Sequence, residues 1–163
     1  MLKKAILTST AVLFSASVMA GGIGFIDMEK VAKESYSFQK AQKSMKSTFE
    51  PRQKKILKLQ KEFQKEQSKL IKNQAVMSKS ALSKAAGELQ KKAKGLQKMQ
   101  GSYQKEFMAA QNKATKKFLD KVKSAARKVA LSAKLDAIMP NNAVVFSASS
   151  TDYTKQVIKT LNK

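Results

Sequence analysis

From Tyr36 to Lys134 the apolar positions recur with a helical period, and Pro51 is the only proline among them. With Gln42 at a heptad a position, the a set runs Gln42, Phe49, Ile56, Phe63 and Leu70, and the d set includes Met45 and Leu59. The pattern returns through Leu82, Ala86, Leu89, Ala93, Leu96, Tyr103 and Phe107. It then changes to Ala114, Phe118, Val122, Ala125 and Val129, a spacing that relaxes or reverses left-handed supercoiling. Between the halves, residues 73–83 carry Asn, Gln and three Ser and break the period. The chain is therefore expected to turn there and form an antiparallel helical hairpin.

The flanks follow a different pattern. Ile23–Ile26 predicts a strand, and Asp27 caps a helix from Met28 that turns Val31 and Ala32 inward. Leu135–Met139 predicts a second strand, Pro140, Asn141 and Asn142 a turn, and Ala143–Ser147 a third strand. Ser150 or Thr151 is the expected cap of a last helix with Tyr153, Val157, Ile158 and Leu161 on one face. Arms of about 45 residues reach on the order of 65 Å. The flanks together hold only about 44 residues, too few for a self-sufficient core, and their short strands leave open edges. Association with further copies through this body is the expected remedy.

Charge adds a direction to the hairpin. The 163 residues carry 33 Lys+Arg against 11 Asp+Glu, a formal charge of +22, and Arg52 and Arg127 are the only arginines. On a helical wheel centred on Ile56, Leu59, Phe63 and Leu70 fall between about 300° and 340°, whereas Lys54, Lys58, Lys61, Lys65, Lys69 and Lys72 fall between about 140° and 220°. On the returning arm Lys84, Lys91, Lys94, Lys98 and Lys105 lie opposite Leu89 in the same way, and Lys92 is the exception. A face needing only solvation would mix Glu with Lys and gain i,i+4 pairs. The one-sided charge opposes compaction and points to an anionic partner. Lysine is a solvated point charge, suited to diffuse attraction rather than bidentate recognition.

The residues also exclude chemistry. Without His or Cys there is no histidine base, no thiol nucleophile, no disulfide and no Cys/His zinc site, and the acidic residues are scattered. An enzyme, a cofactor and a metal are not expected. Lys3 and Lys4, an apolar run from Ala5 to Val18 and the small Ala20 before Gly21 predict an export signal cut between Ala20 and Gly21. The run is too short and too rich in Ser and Thr to span a bilayer. Export removes nucleic acid as a physiological ligand, although any basic hairpin attracts DNA at low salt. No basic recognition motif or aromatic stacking series is present.

The signal, residues 23–31 (IGFIDMEKV), the Lys/Gln-rich hairpin and residues 144–158 (VVFSASSTDYTKQVI) together resemble the Skp/OmpH family of periplasmic chaperones. The resemblance implies an α+β, mainly α homotrimer, with residues 21–35 and 135–163 as a small β body. Residues 36–134 would form tentacle-like arms around a cavity. It implies an ATP-independent holdase that captures unfolded outer-membrane β-barrel proteins, and a link to lipopolysaccharide or anionic phospholipid. The lysines of the stripes already numbered, Lys105 apart, are then the candidate client-binding residues. Val76 and Met77 join them, because a loop tip has little core to fill. Met99 and Met108 offer soft contacts on the arms. A structural envelope coiled coil or a lipopolysaccharide-binding surface protein fits the same composition. Pro51, expected to kink or restart the outgoing helix, would face Gly101 and Ser102 across the hairpin and form a hinge.

Overall fold

The computed structural model describes residues 21–143, 145–146 and 151–163. The expected export signal, Ala20 included, lies outside them. The elements are β1 (Gly22–Ile26), α1 (Met28–Glu34), α2 (Tyr36–Asn73), α3 (Lys79–Ala133), β2 (Leu135–Pro140), β3 (Thr151–Asp152) and α4 (Thr154–Leu161). The protein is mainly helical, with one small parallel sheet ordered β2-β1-β3.

Local chemistry sets most of the boundaries. Asp27 stands in extended backbone and its Oδ1 accepts the Lys30 N–H at 3.0 Å, which starts α1 as expected. Ser35, fully buried, ends α1 and caps α2 by accepting the Phe38 N–H. Asn162 holds this break from the other end of the chain, accepting from the Tyr36 N–H at 3.0 Å and donating to the Glu34 carbonyl at 2.8 Å. Two of the backbone groups that the break frees are thereby satisfied. A 3₁₀ turn, Gln74–Val76, closes the hairpin inside the expected segment, and Ser78 caps α3. Lys134 stops α3 in the left-handed region at φ 54°.

The sheet corrects part of the sequence reading. β2 lies where expected, paired with β1 through Ile23 to Ala137 and Phe25 to Met139. The expected strand over Ala143–Ser147 does not form among the described residues. Asn141–Ala143 is a 3₁₀ turn, and Val145 and Phe146 are exposed and outside any strand. The third strand is Thr151–Asp152, beside Gly24 and Phe25. Thr151 is thus a strand residue and not the cap of α4; Ser150 lies outside the described residues. Tyr153 holds the cap position of α4 without a capping side chain; Asp152, the residue before it, supports the first turn, its Oδ1 accepting from the Thr154 N–H at 2.8 Å and from the Thr154 hydroxyl. Gly24 is required in β1, because a Cβ there would sit 2.6 Å from the Tyr153 ring.

The core joins Ile26 and Val31 to Phe118, Val122, Ala125 and Val129 of α3 and to Val157 and Ile158 of α4. Tyr153 and Leu161 pack against it, completing the expected apolar face. The irregular 4-4-3-4 run of α3 is therefore the stretch where the arm stops being half of a two-helix seam and becomes the root of the body. A flank too small to build a core is completed by the end of its own arm.

Thr154, buried, accepts the Asp27 N–H at 2.9 Å while donating to Asp152, and so ties α4 to the β1–α1 junction. The bonds donated by the Thr154 hydroxyl and then by its N–H hold the Asp152 carboxyl below its ordinary value. The unfolded chain lacks them, so the stabilisation is full above the ordinary aspartate value, about 4, and is lost as pH falls through the lower folded value. Asp152→Ala is expected to lower the urea midpoint at pH 7 by the equivalent of about 1 kcal/mol. The gap from the parent should narrow at pH 2, as read by circular dichroism.

Candidate functional site: the lysine-faced arm

Packing along the hairpin follows the heptads and loosens towards the tip. Phe49 and Ile56 are buried; Met45, Leu59, Phe63 and Leu70 are half-buried, and polar Gln42 is exposed. Leu82, Leu89, Ala93, Leu96, Tyr103 and Phe107 answer them from α3, while Ala86 is exposed. Phe49 meets Tyr103 and Phe107 edge to face, at centroid distances of 5.9 and 5.2 Å. Arg52 lies over the Phe49 and Tyr103 rings and pairs with Glu106 at 2.7 Å. Hydrogen bonding to Arg52 holds the Glu106 carboxyl below its ordinary value, and Glu106 raises the guanidinium in return.

Outside the seam, Lys54, Lys58, Lys61, Lys65, Lys69 and Lys72 are all exposed on α2, as are Lys84, Lys91, Lys94 and Lys98 on α3. Lys54 is paired with Glu50, whose carboxyl is lowered chiefly by that bond and further by Lys46. Lys58 comes only within 3.9 Å of Glu62. Lys92, the exception on the wheel, bonds across the hairpin to Glu66 and helps fix the register. The basic face is thus continuous, and its carboxylates are few.

The two tip residues part company. Val76 is 86% exposed, whereas Met77 is half-buried and shares a small pocket with Leu70, Ala85 and Leu89. Met77 closes the end of the seam instead of standing free. Met108, expected to offer a soft contact, is exposed, and Met99 is half-buried; exposed Leu57 and Ile71 were not singled out by the sequence, because a period marks which face is apolar and not how deeply each residue packs.

Pro51 is exposed and α2 runs through it without restarting. The contacts of Phe49 and Arg52 place Pro51 across from residues between Tyr103 and Phe107, so Gly101 lies about one turn nearer the tip than direct opposition requires. A Cβ on Gly101 would meet nothing within 4 Å. Gly101→Ala is expected to raise stability by about 1 kcal/mol in a denaturant titration, since it adds helix propensity without a clash.

Among the described residues no group of three or more acidic side chains gathers to hold a metal, and no helix is long and apolar enough to cross a membrane. A long antiparallel α-hairpin rooted in a small parallel sheet defines the class of fold. The model of the family Outer membrane protein (OmpH-like) matches residues 22–161, and the chain belongs to that family. The crystal structure of a candidate outer membrane chaperone (OmpH-like) from Caulobacter crescentus CB15 shares the fold. It has a TM-score of 0.72 and 18% identity over 99% of this chain and 90% of that one. No curated protein matches the chain in sequence.

Proposed function

We propose that this chain is an ATP-independent holdase of the periplasm, which captures unfolded outer-membrane β-barrel proteins and keeps them from aggregating in transit. The observation that carries the reading is the outer face of the arm, a long run of exposed lysines with few carboxylates to balance them. Such a face attracts acidic chains from a distance. Family membership supports the same reading, as does the chaperone description given to the Caulobacter protein.

In this reading the body joins three copies, and lipopolysaccharide or anionic phospholipid is a further partner of the basic surface. The chain acts after export, with cleavage between Ala20 and Gly21. Pro51 and Gly101, offset by a turn, soften the two helices at neighbouring levels and let the arms bend around clients of different size. Two experiments test the proposal. Light scattering coupled to size exclusion should give three copies of the mature chain, and a monomer at micromolar concentration would contradict it. An unfolded outer-membrane β-barrel diluted from urea should then co-elute with the protein as a soluble complex.

A further inference from the structure

On one side of the hairpin, α2 and α3 leave an open groove of about 1310 Å³ near the root of the arm. Its floor is aromatic and aliphatic, formed by Phe38, Met45, Phe49, Tyr103 and Phe107. Leu57 and Met108 are about half exposed on its walls. Amides line both flanks: Gln42, Gln53 and Gln60 from α2, and Gln100, Gln104 and Gln111 from α3. Each offers two donors and an acceptor, the set that a polypeptide backbone can pair with regardless of side chain.

Length and charge narrow the occupant. The stretch of α2 from Phe38 to Gln60 is about 33 Å long at 1.5 Å per residue. An extended chain covers that with about ten residues at 3.3 Å each. A membrane-spanning β-strand needs about 9–11 residues and alternates apolar with polar positions. The floor is uncharged, and the charged lining consists of Lys46, Glu50 and Lys54 at one rim. Lys54 is tied to Glu50, and Arg52 beside the floor is tied to Glu106. Lys46 is left as the rim's excess charge, which suits a neutral segment flanked by an acidic residue.

We propose that this groove holds one extended, amphipathic, strand-length segment of an unfolded membrane β-barrel, apolar side chains on the aromatic floor and backbone amides against the glutamines. The inference rests on the chaperone reading and assigns to it a short-range site distinct from the lysine face. Steering by lysines would then bring a client in, and the groove would retain it.

The test uses a fluorescein-labelled ten-residue peptide alternating Phe or Val with Thr or Asn and ending in Asp, titrated with the mature protein and read by anisotropy. It should bind at least fivefold more tightly than a peptide of the same composition with its apolar residues grouped at one end. Leu57→Ser with Met108→Ser should weaken binding of the alternating peptide at least fivefold. Both side chains are exposed enough that helicity and melting should stay unchanged. Since the chain has no cysteine, a bimane on Met108→Cys should shift to the blue with peptide, while one on Lys61→Cys should not. Equal affinity for the two peptides, or an unchanged affinity in the double variant, would overturn the groove. If soluble complexes with full-length clients still form in that case, only the groove is lost; if they do not form, the chaperone reading falls with it.

Discussion

Replacing Lys58, Lys61, Lys65 and Lys69 together by glutamine is expected to slow capture of an acidic unfolded client roughly tenfold at low salt, with a smaller change in its release. All four side chains are exposed, and only Lys58 has a carboxylate nearby, at 3.9 Å. Their charge therefore acts through solvent on an approaching chain, and salt should imitate the substitution. At several hundred millimolar salt, where screening lengths shrink to a few ångströms, parent and variant should associate at similar rates. Stopped-flow fluorescence reads both arms. An unchanged association rate in low salt would make the stripe solvated surface and nothing more.

The second large effect concerns the root of the arm. Phe118→Ala removes a ring that is 8% exposed, lies 4.6 Å from the Phe38 ring between centroids, and belongs to the same core as Val31 and Val157. The expected loss is about 3–5 kcal/mol. Because that core binds β1, α1, α3 and α4 together, body and arm should lose structure together in a urea titration followed by circular dichroism. Phe49→Ala removes a similar area farther out, where both helices continue past it. It should leave the melting of the body largely intact and loosen the hairpin locally.

The hairpin was legible because a 3.5- to 3.6-residue period over many turns is a strong signal, and Phe49, Ile56, Phe118, Val122, Ala125 and Val129 are buried where that period puts them. Asp27, β1 and β2 were legible for local reasons, a capping side chain and short β-prone runs. The third strand was not. Thr151 and Asp152 are two polar residues whose place beside β1 depends on a partner strand over a hundred positions away, while apolar Val145 and Phe146 offered a more persuasive local pattern. The Asn162 clamp on Glu34 and Tyr36 was invisible for the same reason. On the arm, the wheel placed the lysines outward, but it could not foresee that Lys92 pairs with Glu66 or that Met77 folds back on the seam. Apart from Gln42 at its heptad position, the glutamines of the groove carry no signal of their own in the sequence. Their spacing acquires meaning only when two antiparallel helices set them along facing edges.

Suppression of client aggregation tests the central claim most directly. An outer-membrane β-barrel unfolded in urea would be diluted into buffer without nucleotide, and light scattering followed as the mature protein is titrated in. The account predicts that scattering falls to baseline near stoichiometric ratios and that the four-lysine variant needs more protein to reach it. Scattering that stays at the level of the unprotected client, even with the protein in severalfold excess, would contradict the account.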